Sequence, residues 1–463
     1  MLISKTLSVG LLALIGSGAL LGCSSDDKKN ATGPSTGNDG GGGSGGGGNG
    51  EAGTCDVTLA PSADDLTTVQ GAIAKLKSGQ TLCFSPGTYS FTNHLSLSAA
   101  QKITFRGTGS KPEDVLFDFT GQTAGSEGVL VTTDDFTVEN LWIKNTQGNG
   151  IKVEANRSTF RHIKVSWEGS GSGGNRLTGA YGIYPVKADH TLVEDNEVSG
   201  AIDAGIYAGQ CKHVIARNNN SHDNILGLEV ENTIGAEVYG NDLHDNTTGM
   251  LLDLLQGLDQ TISRDYLVHD NDIHDNNLPS FAGSAHADDG GATSLITIAP
   301  QGTGVLIYTA TNVEFRNNQI RNNGGAGLVV MSQTTADLVA VAQGGTPQKV
   351  DPNTPDEPEK IYIHDNTFTN NGTAPTDIWA LVDPSDGGVQ ANPYDVEWDG
   401  VLKPGATKDT DMQICLGKTN LPTFVNFHAP DGLLGALSHD YSKWTTDTTD
   451  HECELPAVPP LTP

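Results

Sequence analysis

The sequence is poor in positive charge, in charged residues overall and in aromatic residues. Its 463 residues contain 26 Lys and Arg against 56 Asp and Glu, which gives a formal net charge of -30. A chain this acidic repels phosphate backbones, so nucleic acid is not an expected partner. Charged residues make up 18% and hydrophobic residues 36%, and these fractions fit neither a coiled coil nor a helical membrane protein.

The sequence also lacks a Rossmann or P-loop fingerprint, so no nucleotide cofactor is expected. The first 22 residues contain one cation, Lys5, followed by an apolar stretch over residues 7–21. That stretch is too short and too close to the N-terminus for a stable membrane span. Residues 1–22 are therefore predicted to be an export signal.

The end of this signal, Leu20-Leu21-Gly22-Cys23, resembles the bacterial lipobox, and the resemblance implies cleavage before Cys23 and acylation of that cysteine. Residues 23–53 are rich in Gly and Ser and have no apolar periodicity, so we expect a flexible tether. Dual acylation would hold the protein at a membrane. Ser24 in place of Asp implies the outer membrane, so the predicted location is that of an exported bacterial lipoprotein.

The other five cysteines are expected in an oxidising exterior, where disulfides persist. Cys55 and Cys83 both lie near the N-terminus of the predicted domain, and Cys415 and Cys453 both lie in the C-terminal tail. Pairing within each region is the simplest expectation. Cys211 is then left as a small core residue.

Segments that begin with Gly and continue with alternating apolar residues recur along the chain, with starts 22 residues apart at Gly205, Gly227 and Gly249. The first and third positions after the glycine are apolar in every copy, whereas the second and fourth are often polar. Period two predicts a strand with one inward face, which a short coil can bury only by stacking on its neighbours. The predicted fold is therefore all-β, a solenoid of about 22-residue coils. The starts are Gly150, Gly182, Gly205, Gly227, Gly249, Gly304 and Gly327.

An Asn closes a short strand 14 residues after four of these glycines. We interpret it as a residue that tolerates left-handed backbone at a tight turn and forms an amide ladder with its copies. The series comprises Asn196, Asn219, Asn241 and Asn318, continued after insertions by Asn271 and Asn366.

With these repeats the sequence resembles the right-handed parallel β-helix proteins, the superfamily of pectate lyases, polygalacturonases and alginate epimerases. Gly205–Gln210 (GIYAGQ), Arg217-Asn-Asn and Leu228–Asn232 (LEVEN) are more closely similar to a bacterial family of exported β-helix lipoproteins of undefined activity. The Asp/Asp-Asp/Gly-His-Gly series of polygalacturonases and the Asp-Pro-His of alginate epimerases are absent, so their catalytic residues do not transfer.

Phe84–Tyr89 (FSPGTY) is similar to the first coil of such proteins, and residues 64–77 predict an amphipathic capping helix. The expected β-helix domain spans residues 54–375 and includes this N-terminal cap. Residues 376–463 are expected to form a C-terminal capping extension. Insertions near residues 168–179, 254–264, 277–303 and 332–359 exceed the repeat length, and long loops on a rigid solenoid commonly shape a groove.

The outward positions of the glycine-started strands predict a functional site. Strand spacing places Glu229, Glu231 and Asp253 in one patch beside Tyr184 and Tyr207. Like charges at that spacing raise a carboxyl pKa or bind a cation such as calcium, the candidate cofactor. An acidic, solvated surface is the alternative interpretation.

Either outcome suits polysaccharide chemistry. A carboxyl with a raised pKa can act as a general acid, two carboxyls about 6.5–9.5 Å apart suit inverting hydrolysis, and calcium can bridge a uronate. Lys152 and Gln210, together with the two tyrosines, complete the predicted substrate-binding set.

His-Asp-Asn occurs five times, and three copies follow the ladder Asn by three residues, so His222, His244 and His274 should form a column. Stacked imidazoles could bind a transition metal, and His286, Asp288 and Asp289 in a nearby insertion add to that hypothesis. Turn chemistry, in which His and Asp satisfy backbone groups, is the alternative. The remaining copies are at His269 and His364.

Three functions remain open from the sequence. The first is an enzyme acting on polysaccharide as a lyase, epimerase or hydrolase, with Glu229, Glu231 and Asp253 as acid, base or cation ligands. The second is a non-catalytic surface module that binds glycan or an exported protein partner. The third is a periplasmic metal-handling protein that uses the histidine column.

Overall fold

The computed structural model describes residues 54–168, 179–281, 300–342, 346–347, 351–376, 379, 394–436 and 440–462. The predicted signal, the tether with Cys23, and His286, Asp288 and Asp289 lie outside these residues. None of the helices in this part of the chain has the length and apolarity that a bilayer crossing requires.

Parallel strands stack into three sheets, which confirms the predicted all-β solenoid. Each regular coil contributes one strand to each of the three sheets, which we call A, B and C. Ala204–Gly209 in sheet C, for example, is followed by Lys212–Arg217 in sheet A and Asn220–His222 in sheet B. The next coil returns to sheet C at Leu226–Glu231 and pairs in register with the one before it.

The described strands divide among the sheets as follows. Sheet A contains Val57–Leu59, Thr81–Phe84, Thr104–Gly107, Thr137–Glu139, Ser158–Arg161, Asp189–Glu194, Lys212–Arg217, Ile234–Tyr239, Arg264–His269, Thr311–Arg316, Glu359–His364 and Ile414–Cys415. Sheet B contains Gly87–Ser90, Val115–Asp118, Trp142–Lys144, Lys164–Ser166, Glu197–Ser199, Asn220–His222, Asp242–His244, Asp272–His274, Gln319–Arg321 and Thr367–Thr369. Sheet C contains Leu95–Leu97, Val129–Val131, Ile151–Val153, Ile183–Pro185, Ala204–Gly209, Leu226–Glu231, Thr248–Asp253, Thr303–Tyr308, Ala326–Met331, Val396–Trp398 and Phe424–Asn426.

The first and third positions after each repeat glycine face the interior. Ile206, Leu228 and Val230 are at most 1% exposed, as the period-two pattern predicts. Burying one such side chain stabilises the fold by about 1.5–3 kcal/mol. The glycine itself is required by close packing, because a Cβ at Gly227 would lie 2.6 Å from the carbonyl oxygen of Gly249 in the next coil.

The recurring Asn forms a buried amide ladder. The Nδ2 of each donates to the Oδ1 of the next at 2.8–3.0 Å, from Asn196 through to Asn366. The expectation that this Asn itself adopts left-handed backbone is wrong. The residue immediately before it does so, for example Asp195 (φ 57°) and Asn218 (φ 55°), which turns the chain so that the Asn side chain points inward.

A second amide ladder runs parallel to the first and was not predicted. It runs along the end of sheet B with amide bonds of 3.0–3.1 Å, and three of its five residues close the His-Asp-Asn copies that begin at His222, His244 and His274. The preceding Asp has positive φ in these copies, for example 57° at Asp223 and 53° at Asp245. The ladder residues are Asn224, Asn246, Asn276, Asn323 and Asn371.

The helices cover the N-terminal end and the insertions. Helix α1 (Asp65–Ile73) caps the first coil, with the Asp64 carboxylate accepting from the Thr67 amide at 3.1 Å, and it ends earlier than the predicted residue 77. Helix α2 spans Gln333–Ala342 and helix α3 spans Asp431–Ala436. Single 3-10 turns occupy Pro112–Asp114, Asp409–Asp411 and Thr449–His451.

Disulfides join Cys55 to Cys83 and Cys415 to Cys453, which are the pairs expected from chain proximity, and Cys211 is free and buried. The boundary expected at residue 375 lies too early. Val396–Trp398 and Phe424–Asn426 extend sheet C, and Ile414–Cys415 extends sheet A, so the solenoid continues into the region expected to be only a cap.

Insertions pack on the outer face of sheet C. Ala336 of α2 and Trp379 form an apolar cluster with outward residues of this sheet, including Leu251 and Leu306. The stretch at 351–358 is tied to the insertion that begins at residue 254, because Gln256 donates to Asp356 at 2.6 Å and accepts from the Asp351 amide at 3.0 Å. Much of the outer face of sheet C is thereby covered.

Candidate functional site

The structure brings the three predicted carboxyl groups together. Glu229 and Glu231 lie two residues apart on one strand of sheet C, and Asp253 pairs with Glu231 on the next strand. One carboxylate oxygen of each lies within 4.8 Å of those of the other two. Inverting hydrolysis needs carboxyl groups about 6.5–9.5 Å apart to hold a water between them, and oxygens this close leave little room for that water. We call them the carboxyl cluster.

The cluster is buried, so the alternative of an acidic solvated surface is wrong. Glu229 is 5% exposed, Glu231 is 6% exposed and Asp253 is fully buried. The period-two pattern places these residues outside the solenoid interior. It does not show that insertions cover that outer face.

One hydrogen bond enters the cluster from a tyrosine. The Tyr207 hydroxyl donates to Glu231 Oε1. Its ring lies over Gly209, where a Cβ would be 2.2 Å from the Tyr207 hydroxyl oxygen, so this contact requires glycine at residue 209. By contrast, Glu229 Oε2 and both carboxylate oxygens of Asp253 have no hydrogen-bond partner among the described residues.

Burial is the main cause of raised pKa values in the cluster. Burial, followed by the charges of Asp253, Asp203 and Glu231, raises the pKa of Glu229 well above its usual range. Burial and the charges of Glu231 and Asp203 act in the same direction on the pKa of Asp253. Burial raises the pKa of Glu231 to about 7, against the opposing effect of the Tyr207 hydrogen bond. Near neutral pH the cluster therefore holds protons that isolated carboxylates would release.

Three tyrosines lie beside the cluster. Tyr184 and Tyr207 were predicted, and their ring centroids are 4.9 Å apart. Tyr181 completes the group, stacked on Tyr207 at 4.4 Å and tilted against Tyr184 at 4.7 Å. The ammonium of Lys152, on the adjacent strand, lies 5.2 Å from the Tyr184 ring centroid. Lys152, Tyr181 and Tyr184 are all half-buried.

Sequence analysis missed Tyr181 and Asp203. Asp203 is 7% exposed and immediately precedes the strand that carries Tyr207, and Tyr181 lies just before Ile183–Pro185. Both precede glycine-started segments, so neither occupies an alternating strand position. A search for polar or aromatic residues just before the repeat glycine would have found them.

Gln210 lies at the turn after Gly209 and faces a different loop. Its carboxamide oxygen is 3.5 Å from the amide nitrogen of Gln260, and its own amide donates to the Glu231 carbonyl at 2.9 Å. The side chain contacts the insertion after sheet C, so its assignment to substrate binding stays a prediction.

The histidine column exists, and its ring nitrogens are engaged. Ring centroids are 5.1 Å apart for His222 and His244 and 5.2 Å apart for His244 and His274. The Nδ1 atom of each is 2.8 Å from the carboxylate of the following Asp. The Nε2 atoms of His244 and His274 bond Asn220 and Asp242 at 3.0 Å and 2.9 Å. These contacts are those of the turn-chemistry interpretation, whereas His274, Asp242 and Asp272 also bring ligand atoms within 4.8 Å of one another, so the metal assignment stays a prediction.

Cys211 is a core residue. Burial raises the pKa of its thiol to about 12, so it stays protonated near neutral pH and is a poor nucleophile.

Comparison with known proteins bears on the fold. A family model described as a right-handed β-helix region matches residues 164–340. The fold of the described residues is a right-handed parallel β-helix. No curated protein sequence matched this one.

Solved structures similar to the β-helix include three enzymes. The A-module of a mannuronan C-5 epimerase from Azotobacter vinelandii is 15% identical, with a TM-score of 0.41 over 72% of this chain and 86% of that one. An alginate lyase from a Paenibacillus species is 12% identical, with a TM-score of 0.33 over 69% of this chain and 99% of that one. A DFA-IIIase from Arthrobacter chlorophenolicus is 13% identical, with a TM-score of 0.38 over 72% of this chain and 85% of that one.

Proposed function

We propose that the β-helix binds and processes an extracellular or envelope polysaccharide on the outer face of sheet C. The observation that carries this proposal is the carboxyl cluster, in which three buried acids converge and three of their oxygens lack a described partner. Unpartnered buried carboxyl groups destabilise a fold, and perturbed pairs of this kind concentrate at functional sites.

The cluster supplies the two protonation states that acid–base catalysis needs. The raised pKa values of Glu229 and Asp253 favour their protonated forms, whereas the pKa of about 7 at Glu231 lets it give up or accept a proton near neutral pH. Tyr207, bonded to Glu231, provides a path for proton exchange with the tyrosine cluster. These properties suit a lyase, an epimerase or a hydrolase that does not place a water between two carboxyls.

The half-buried residues beside the cluster suit a sugar chain. Tyr181 and Tyr184 present aromatic rings, and sugar faces stack on such rings through their C–H groups. Lys152 places a positive charge 5.2 Å from the Tyr184 ring in an otherwise acidic protein, which favours a substrate with carboxylates such as a polyuronate. Polysaccharide is therefore the expected partner.

Calcium is the expected cofactor if one is used. Carboxylate oxygens are the ligands that calcium prefers, and the unpartnered oxygens of Glu229 and Asp253, together with Glu231, form a fitting donor set. A bound cation would neutralise the cluster and offer a positive charge to a uronate carboxylate. Glu229, Glu231 and Asp253 would then act as cation ligands.

The location of the β-helix is part of the proposal. The lipobox-like sequence ending at Cys23 and the Gly/Ser-rich tether support an exported lipoprotein held at the outer membrane by its lipid alone. A substrate outside the cytoplasm is consistent with that location.

Burial of the cluster favours one alternative, a non-catalytic module that binds glycan through the tyrosines. With exposures of 0–6%, the carboxyls would then serve as a protonated or cation-filled support beneath the binding surface. A product assay separates the two functions, since a binding module yields no product.

The test is a product assay on a panel of polysaccharides, with calcium or with chelator. Unsaturated uronate and new reducing ends report lyase and hydrolase activity, and proton NMR of the recovered polymer reports epimerisation. We expect product from the wild type and a loss of about 10²–10⁴-fold in the triple variant Glu229→Gln/Glu231→Gln/Asp253→Asn. Glu113→Gln, which removes a carboxyl outside the cluster, should leave activity unchanged.

Absence of any product or epimerised residue from folded wild-type protein would reject the enzyme for those substrates. Glycan binding that is lost in Tyr184→Ala would then support the binding module.

A further inference from the structure

We propose that Asp189, His190 and His213 on sheet A form a transition-metal site that is separate from the carboxyl cluster. The repeat itself places these residues together. Asp189 pairs with Lys212 and Thr191 pairs with Val214 on adjacent strands, so His190 lies beside His213. Both histidines have left-handed backbone, with φ of 60° and 51°, as do Arg157 and Gly235 at the same position of the flanking coils.

One carboxylate oxygen lies between the two imidazoles. Asp189 Oδ1 is 2.8 Å from Nδ1 of His190 and 2.7 Å from Nδ1 of His213. The ring centroids are 4.7 Å apart, and one ligand atom from each of the three residues lies within 4.8 Å of the others. The side chains are 42–58% exposed, so an ion from solution can reach them.

Two imidazole nitrogens and one carboxylate oxygen are ligands that suit zinc, copper and nickel better than calcium. Three protein ligands also leave a coordination position open, as in exchangeable or reactive zinc sites. A zinc ion about 2.0–2.1 Å from each ligand atom would separate adjacent tetrahedral ligands by about 3.4 Å. Each ring nitrogen must therefore move about 0.6–0.7 Å farther from Asp189 Oδ1, the difference between that ligand separation and the present distances.

The neighbouring coil leaves space for this movement. Gly235 follows His213 in the column of left-handed residues, and the position of a Cβ there would be 3.6 Å from Cδ2 of His213. Glycine presents no side chain against the ring, so the next coil does not pack a side chain against this side of His213.

A cavity adjoins the three ligands, so the fourth coordination position of a bound ion could open into it. Its wall includes Arg157, Leu192, Ile215 and Thr462, together with Asp189 and both histidines. A water molecule or a small anion therefore has room beside a bound ion. This arrangement differs from the histidine column, where His244 and His274 already use both ring nitrogens in hydrogen bonds.

The test is a titration of the chelator-treated full chain with zinc chloride by isothermal titration calorimetry. It is repeated in the Glu229→Gln/Glu231→Gln/Asp253→Asn background, so that zinc bound at the carboxyl cluster is counted separately. In that background we expect one equivalent of zinc, with affinity lowered about tenfold or more by His190→Gln, by His213→Gln and by Asp189→Asn. The matched control His244→Gln, from the column, should bind as its parent does.

Copper(II) provides a readout that a structural role would not produce. Electron paramagnetic resonance of the copper-loaded protein should show hyperfine splitting from two imidazole nitrogens, reduced to one in His190→Gln or His213→Gln. The proposal is overturned if zinc does not bind below about 1 mM. It is also overturned if binding persists in the His190→Gln/His213→Gln double variant, or if His244→Gln abolishes it. Because these residues are exposed and outside the carboxyl cluster, neither result bears on polysaccharide processing.

Discussion

At the scale of single residues, the carboxyl cluster should make the protein less stable as pH rises. An acid in a salt bridge has the opposite effect, because its pKa is lowered in the folded protein. The pKa of Glu231 is about 7 in the folded protein and about 4.5 when the chain is unfolded. Between these values the folded state binds more protons than the unfolded state. The free energy of unfolding therefore decreases as pH rises through this window.

We predict that the free energy of unfolding falls by about 3 kcal/mol between pH 4.5 and pH 7 from Glu231 alone. The triple variant Glu229→Gln/Glu231→Gln/Asp253→Asn removes the titrating groups, so it should lose this pH dependence and be more stable than the wild type at pH 8. Urea unfolding at a series of pH values measures both effects, with Glu113→Gln as the control. A wild type that becomes more stable with rising pH through this window would show that the cluster is charged or cation-bound when folded.

The cluster also shows what residue patterns predict and what they omit. Alternation along the strands places Glu229, Glu231 and Asp253 together, because register and the two-residue period are both visible in the sequence. Their burial depends on insertions whose path has no repeat to define it. Asp203, whose charge helps to raise the pKa of Glu229, was missed for a related reason, because it lies just outside the alternating segment.

At the scale of elements, the two asparagine ladders hold the turns of successive coils in register. Asn241 shows how much one residue connects. Its Nδ2 donates to the Ala216 carbonyl at 3.0 Å and to Asn271 Oδ1 at 2.9 Å. Its Oδ1 accepts from the amide and side chain of Asn219 at 3.0 Å and 2.9 Å. Removing it therefore leaves several buried polar groups without partners.

We expect Asn241→Ala to lower the free energy of unfolding by about 3–5 kcal/mol, because each unsatisfied buried group costs about 1–3 kcal/mol. Asn220→Ala is the matched control. Asn220 is half-buried and accepts one hydrogen bond from His244, so its loss should cost about 1 kcal/mol or less. The urea concentrations at the unfolding midpoints of the two variants test this comparison. Equal midpoints would show that the ladder asparagine contributes no more to stability than Asn220 does.

The His-Asp-Asn motif illustrates why element-scale interpretation from sequence was incomplete. Histidine draws attention as a possible metal ligand, yet in the three copies at the sheet B turn each residue of the motif has a structural role. In the copy at 222–224 the histidine stacks, the aspartate takes left-handed backbone and accepts from the ring, and the asparagine enters the second ladder. The first ladder could be predicted from the regular spacing of its asparagines. Part of the second ladder lies in the His-Asp-Asn motif, which could be explained either by a metal site or by turn chemistry.

At the scale of the whole described domain, the C-terminal segment returns along the outside of the solenoid. The Cys415–Cys453 disulfide fixes its start at the last strand of sheet A. Farther along, the Val458 amide donates to Glu314 at 2.6 Å and the Leu461 amide donates to Glu237 at 2.7 Å. The segment thus contacts coils far earlier in the chain. The sequence indicated a cap here because the repeat spacing is lost after residue 375, although strands continue to Asn426.

We therefore expect the Cys415–Cys453 disulfide to stabilise the docked C-terminal segment as well as the last coil. Cys415→Ser/Cys453→Ser should lower the free energy of unfolding by about 2–4 kcal/mol. In hydrogen exchange, the amides of Val458 and Leu461 should lose protection first, because their hydrogen bonds depend on a segment no longer fixed at its start. The strands at Ala204–Gly209 and Leu226–Glu231 should keep their protection, since each is paired on both sides.

Cys55→Ser/Cys83→Ser, which removes the disulfide at the opposite end, serves as the control. If both variants exposed Val458 and Leu461 equally, the segment would be held by its contacts with Glu237 and Glu314 and by the global stability of the fold, without help from the nearby disulfide.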